Sequence, residues 1–225
     1  MSLRVLAGEI AACRRCPRLV AYLAEVGRVK KREFRDETYW ARPLPGSGDP
    51  RARVVVVGLA PAAHGGCRTG RVFTGDDSSQ FLARALHRVG WASQPTSTAR
   101  DDGLRLRDVY ITLAARCAPP RNRPTPEELR ACRPYLVREL ELLPRARVVI
   151  ALGRIAFDAS LAAAAEAGWG APARKPAFGH GAEVELGARR LVASYHPSRQ
   201  NTNTGKLTRA MFDAIFDRAR AILET

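Results

Sequence analysis

Residues 53–60 read RVVVVGLA, four consecutive valines closed by a glycine. A run this short, this β-branched and apolar at both alternate positions fits a strand covered on both faces, hence a parallel strand inside an α/β sheet. Three further stretches repeat the pattern: DVYITLAA (108–115), RVVIALG (147–153) and the run from Arg190 to Tyr195. Helical spacing takes over between them. Phe81, Leu82, Ala85, Leu86 and Val89 share one face from Ser78 to Val89, with Asp76, Asp77 and Ser78 available as caps. Thr125-Pro126-Glu127-Glu128 has the form of a capping box with Pro at the first helical position. An Ala-rich helix to about Glu166 and an amphipathic helix from Leu207 to Leu223 follow, and residues 2–25 predict a helix broken or kinked at Pro17. This alternation predicts the α/β class: a three-layer α/β/α sandwich with a central, mostly parallel four-stranded sheet.

The 225 residues fit a single domain spanning 1–225, and a hydrophobic content of 46% is enough for a sizeable core. Lys and Arg number 37 against 22 Asp and Glu, a formal charge of +15. Such an excess, mostly arginine, points to a polyanionic partner, nucleic acid before a membrane surface; the bland alternative is solubility alone. Neither an apolar leader nor a run of 18 apolar residues is present, so export and membrane spanning are not expected. One segment breaks the pattern. Residues 27–50 are basic at the start, aromatic in the middle (Phe34, Tyr39, Trp40) and rich in turn formers at the end. They read as a long loop, either a phosphate-contacting flap or a floppy insert.

In open α/β sheets ligands sit beyond the carboxyl ends of strands, which directs attention to loops 58–77, 116–124 and 196–206. The first is dense with Gly and lacks both the phosphate-loop and the dinucleotide patterns. Its Phe73 is either a stacking face for a base or core filling, and Asp76 and Asp77 are either caps or carboxylates for glycosidic chemistry. His64 is a donor or a brace. The third loop offers His196 directly after a strand, then Ser198, Arg199, Gln200, Asn201 and Asn203 as hydrogen-bonding groups. His87 reads as an ordinary helix residue, and His180 has no assigned role.

Five cysteines make an odd count for a disulfide framework. Cys13, Cys16, Cys117 and Cys132 together suit a four-thiolate metal site, structural because no coordination position stays open, whereas Cys67 sits in the Gly-rich loop and is left out. Ligand types alone do not decide between zinc and a [4Fe-4S] cluster, and four unrelated buried thiols are the alternative.

Seven segments, taken in order, resemble the iron–sulfur uracil-DNA glycosylases, and among them the broad-specificity type b, or family 5. They are CRRCPRLV (13–20), YWARPLPGSGDP (39–50), GLAPAAHG (58–65), RTGRVFTGD (68–76), RCAPPRNRPTPEELRAC (116–132), ALGRIA (151–156) and YHPSRQNTNTGKLT (195–208). The resemblance implies a monomeric enzyme with a structural [4Fe-4S] cluster on Cys13, Cys16, Cys117 and Cys132. It further implies hydrolysis of the N-glycosidic bond of a deaminated base in double- or single-stranded DNA, leaving an abasic site. With no membrane segment, such a protein is expected in the cytoplasm, at the nucleoid.

By the same resemblance Asp76 and His196 are the catalytic residues, Phe73 stacks on the extruded base, and Gly58, Leu59, Ala60, Pro61 and His64 line the pocket. Ser198, Arg199 and Asn201 meet the duplex where the base leaves it. Two positions depart from the pattern. Leu113 stands where the narrower type-a relatives carry an Asn that reads a pyrimidine edge, and losing a polar reader relaxes discrimination toward hypoxanthine and xanthine. Ala62 stands where many relatives have Gly. A non-enzymatic, metal-stapled protein that recognises damaged DNA is the rival reading; it shares the charge and the cysteines but leaves the loop carboxylate, Phe and His without a task.

Overall fold

The computed structural model describes residues 1–225. The valine run forms β2 of a six-stranded sheet, and its reading as a doubly covered strand is correct: Val54, Val55, Val56 and Val57 are all fully buried. In chain order the strands are β1 (Ser47–Gly48), β2 (Val54–Gly58), β3 (Val109–Leu113), β4 (Val148–Leu152), β5 (Glu183–Leu186) and β6 (Arg189–Ser194). Their spatial order is β1-β3-β2-β4-β6-β5. The inner four, β3-β2-β4-β6, are mutually parallel and are the four expected strands. The two outer strands are additions to that expectation, each antiparallel to its neighbour. A two-residue strand carries no periodicity, so β1 had no signal of its own.

The helices are α1 (Leu3–Ala11), α2 (Pro17–Val29), α3 (Gly66–Thr69), α4 (Asp77–Arg88), α5 (Pro126–Glu141), α6 (Arg154–Glu166), α7 (Arg199–Asn203) and α8 (Arg209–Glu224). Alternate strand residues sort into two cores. Val54, Val56, Ile111 and Ile150 pack with Leu82 and Leu86 of α4 and Phe212 and Phe216 of α8. Val55, Val57, Val149 and Ala151 pack with Leu136 and Leu140 of α5 and Phe157 of α6. These are the three layers. The capping box forms as read: Thr125 accepts from Glu128 N–H, and the Glu128 carboxylate accepts from Thr125 N–H at 2.7 Å. The N-terminal helix is two helices, because the chain turns through Cys13–Cys16 and restarts with Pro17 at the first position of α2.

Residues 27–50 are also more structured than a loop. Helix α2 runs on to Val29, a single 3-10 turn covers Arg32–Phe34, and β1 closes the segment. Its middle is pinned by main-chain bonds from Trp40 N–H to Arg68 O (2.9 Å), Ala41 N–H to Cys67 O (3.0 Å) and Leu44 N–H to Arg116 O (2.7 Å). It is a strap fastened to the pocket loop.

Beneath the strap lies a buried ion pair. Arg116 and Glu139 are each 1% exposed at the side chain and meet at 2.6 Å. The Glu139 carboxylate also accepts from Tyr110, Thr112 and the Gly46 main chain, so its lone pairs are satisfied. Removing one partner strands the other charge in the core, which costs about 3–5 kcal/mol, whereas replacing both with apolar groups is often close to neutral. We therefore expect Glu139→Leu to lower the urea midpoint sharply, and Arg116→Met combined with Glu139→Leu to restore most of it.

Candidate active site

Chain connections reverse between β2 and β4: β2 leads to α4 on one face and β4 to α6 on the other. In open α/β sheets a ligand crevice lies beyond the carboxyl ends of the strands at such a reversal. Gly58 ends β2, and its missing side chain is a geometric requirement. A Cβ there would stand 2.6 Å from the Phe73 ring and 3.0 Å from Leu113. The ring thus lies directly on the strand end, with Leu113 fully buried beside it. Phe73 itself has φ +47°, in the left-handed region. For a residue with a side chain this costs about 1–3 kcal/mol and persists only where the surroundings enforce it.

His196 follows β6 and faces that ring, the centroids 6.2 Å apart with planes tilted by 33°. Burial alone lowers its pKa to about 4, so the imidazole is neutral at pH 7, and the ring makes no hydrogen bond within the chain. A neutral ring offers one N–H donor toward the crevice. Asp76 caps α4: its Oδ1 accepts from Ser79 N–H (2.8 Å) and Ser79 Oγ (2.6 Å). Its Oδ2 lies against Gly65, where a Cβ would come within 2.4 Å. One oxygen is spent on the helix, and the other makes no hydrogen bond within the chain. Asp77 is exposed and paired with Arg199, which lowers its pKa through the guanidinium's hydrogen bond. That ion pair ties the first pocket loop to the third.

The remaining expected residues divide. Gly58 and Leu59 are tied to the end of β3, their carbonyls accepting from Ala114 and Ala115 N–H at 2.9 Å. Ala60 and Pro61 continue the loop toward α3. His64 is braced: its Nδ1 shares a hydrogen bond with Tyr39 Oη, 3.1 Å away, and the same oxygen accepts from Lys31 N–H. Burial lowers the His64 pKa as well. Ser198 caps α7 by accepting from Asn201 N–H, and the Asn201 amide donates to His196 O at 2.8 Å. Both side chains thus help to hold the His196 loop, and Arg199 is exposed beside them. His180 is structural, its Nδ1 accepting from Tyr195 N–H and its Nε2 donating to Met211 O. His87 is exposed on α4.

Residues that the sequence did not single out hold the crevice together. Arg68 is 9% exposed, donates to the carbonyls of His64 (2.8 Å) and Gly75 (3.3 Å), pairs with Glu37, and stacks on Phe34. A buried arginine inside a polar loop looks like any surface arginine in sequence.

The metal expectation requires correction. All five cysteines are free, and no group of three or more His, Cys, Asp or Glu side chains is disposed to hold a metal ion. The [4Fe-4S] cluster assigned to Cys13, Cys16, Cys117 and Cys132 is therefore not supported, and neither is the iron–sulfur label on the resemblance. Burial is the leading cause of a raised pKa at Cys16, Cys117 and Cys132, and neighbouring thiols add to it. Cys67, pushed up to about 12 by burial, is a packing residue.

A family model, the uracil DNA glycosylase superfamily, matches residues 45–220, which contain the whole sheet and all three pocket loops. The type-5 uracil-DNA glycosylase of Thermus thermophilus is 56% identical over 215 residues, covering 95% of this chain and 94% of its own. That of Pyrobaculum aerophilum is 49% identical over 213 residues, covering 95% and 90%. A type-4 uracil-DNA glycosylase of Archaeoglobus fulgidus shares 40% over 114 residues, about half of each chain. The chain belongs to the uracil-DNA glycosylase superfamily and, within it, to the type-5 uracil-DNA glycosylases. It is a hydrolase of N-glycosidic bonds in DNA, which removes the non-enzymatic rival. No helix is long and apolar enough to cross a membrane.

Burial of neutral His196 makes a stability prediction. Its folded pKa of about 4 lies below the ordinary 6.5, so between those values the unfolded chain holds more protons. This contribution to stability is complete above pH 6.5 and is lost as pH falls toward 4. Urea melts from pH 7.5 downward should show His196→Gln losing less stability with acid than the wild type.

Proposed function

We propose that this glycosylase removes uracil, hypoxanthine and xanthine from double- and single-stranded DNA as a monomer, working at the nucleoid in the cytoplasm. Bases inside a duplex are out of reach, so the nucleotide is first turned out of the stack. The freed base stacks on Phe73 over the Gly58 wall. As the bond between C1′ and the base nitrogen breaks, positive charge grows on the sugar and negative charge on the base. Asp76 orients a water and offsets the sugar's charge, and the water's oxygen bonds to C1′. His196 donates a hydrogen bond to the departing base and stays neutral. The water gives one proton to the Asp76 carboxylate as its oxygen joins C1′, and the released base takes up one proton in turn, so the hydrolysis balances. One donor of this kind is worth about 3–4 kcal/mol by analogy with oxyanion holes.

What supports this reading most is the pairing of one free carboxylate oxygen on Asp76 with a neutral His196 ring facing Phe73. Breadth toward purine lesions follows from Leu113, an apolar side chain that leaves no polar group unpaired when uracil is exchanged for another base. Outward-facing arginines supply the backbone grip, among them Arg42 and Arg100, both exposed and both against the Trp40 ring.

Asp76→Asn should cut single-turnover excision of uracil by about 100-fold or more, on the scale of a removed transition-state charge partner, with duplex affinity retained. Asp77→Asn should excise near the wild-type rate, since it loses only the surface pair with Arg199. Strand breaks should appear only after alkali. A crippled Asp77→Asn beside an active Asp76→Asn would exchange the two roles, and direct breaks would contradict the glycosylase chemistry proposed here.

A further inference from the structure

The segment between α4 and β3 contains no residue of the crevice, yet it grips the crevice from behind. Ser97 is 2% exposed and holds the Phe73 turn at both ends. Its hydroxyl donates to Phe73 O at 2.9 Å, while its carbonyl accepts from Gly75 N–H at 2.9 Å and from the Gln80 amide at 2.9 Å. The same hydroxyl lies 2.9 Å from Thr74 Oγ1 and accepts from Arg71 Nη2 at 3.0 Å. Arg71 also donates to Thr74 Oγ1 at 2.8 Å and to Asp102 at 2.8 Å.

Asp102 organises the far side. Its carboxylate, 8% exposed, accepts from the main-chain N–H groups of Thr98, Ala99 and Leu104 besides Arg71. These donors hold its pKa far below the usual carboxylate range, against the opposing effect of burial. The carboxylate thus stays charged, and it folds residues 97–104 so that Ser97 and Arg71 meet.

We propose that Ser97 and Asp102 are positioning residues for the glycosylase: acting through Arg71 and Thr74, they hold Phe73 in its left-handed backbone so that the ring is a fixed stacking platform before DNA arrives. Neither touches substrate. A single turn of chain, Phe73 to Gly75, is bonded to Ser97 from both directions, and relaxation of φ at Phe73 would swing the ring off the Gly58 wall. The proposal rests on the reading of Phe73 as the base-stacking residue.

A double-mutant cycle tests it in the whole 225-residue chain. Single-turnover excision of uracil from a duplex is measured for Ser97→Ala and Asp102→Asn, each alone and combined with Phe73→Leu, with thermal melts confirming a folded chain. A displaced platform should slow excision by about 10-fold or more in the Phe73 background, in line with the cost of ångström-scale misplacement, and by less than about 2-fold once Phe73 is gone. Ser97→Thr, which keeps the hydroxyl, should recover most of the Ser97→Ala loss. Equal slowing in both backgrounds would mean a merely structural role and overturn the proposal, as would wild-type rates in both single variants. If Phe73→Leu alone excises like the wild type, the stacking reading itself fails, an outcome separable from the other two.

Discussion

The site depends on an absent side chain. Because Gly58 carries no Cβ, the Phe73 ring can lie directly on the end of β2, and everything else in the crevice is placed relative to that ring. His196 faces it from the loop after β6, Leu113 closes it from the neighbouring strand, and Asp76 caps α4 three residues further on. A second close approach, Asp76 against Gly65, folds the same loop back on itself. Glycine here supplies proximity, and the sheet supplies rigidity: β2 is central, bonded on both sides and buried on both faces.

Polar groups then stiffen what the apolar contacts bring together. The buried Arg116–Glu139 pair fixes the end of β3 and the strap over it, and Arg68 ties the two ends of the Gly-rich loop. Arginine suits both tasks, because its planar fork meets several carbonyls and carboxylates at once. The basic composition therefore has two uses, one facing DNA and one inside the loops.

Local patterns were legible in the sequence and long-range ones were not. The valine run, the Thr125 capping box and the helix face from Phe81 to Val89 each express a rule that operates within a few residues, and each appears in the structure where expected. The edge strand at Ser47–Gly48 is too short for a period, and the segment 97–104 acts on Phe73 across more than twenty residues, so neither announces itself. Ser198 and Asn201 look like free hydrogen-bonding groups in sequence, but each also makes a local bond that shapes the His196 loop. The cysteine pattern erred in the same way. Spacing states which thiols lie near a turn, whereas ligation requires a disposition of side chains that the packed region around Cys117 and Cys132 does not provide.

The central claim, that the ring of Phe73 on a bare Gly58 is the platform of the reaction, is tested most directly by Gly58→Ala. Its backbone remains in an ordinary conformation, and the added methyl would meet the Phe73 ring at 2.6 Å, so the ring must move. Single-turnover excision of uracil from a duplex should fall by about two orders of magnitude while the protein stays folded and binds DNA. Excision at the wild-type rate by the folded variant would contradict the account.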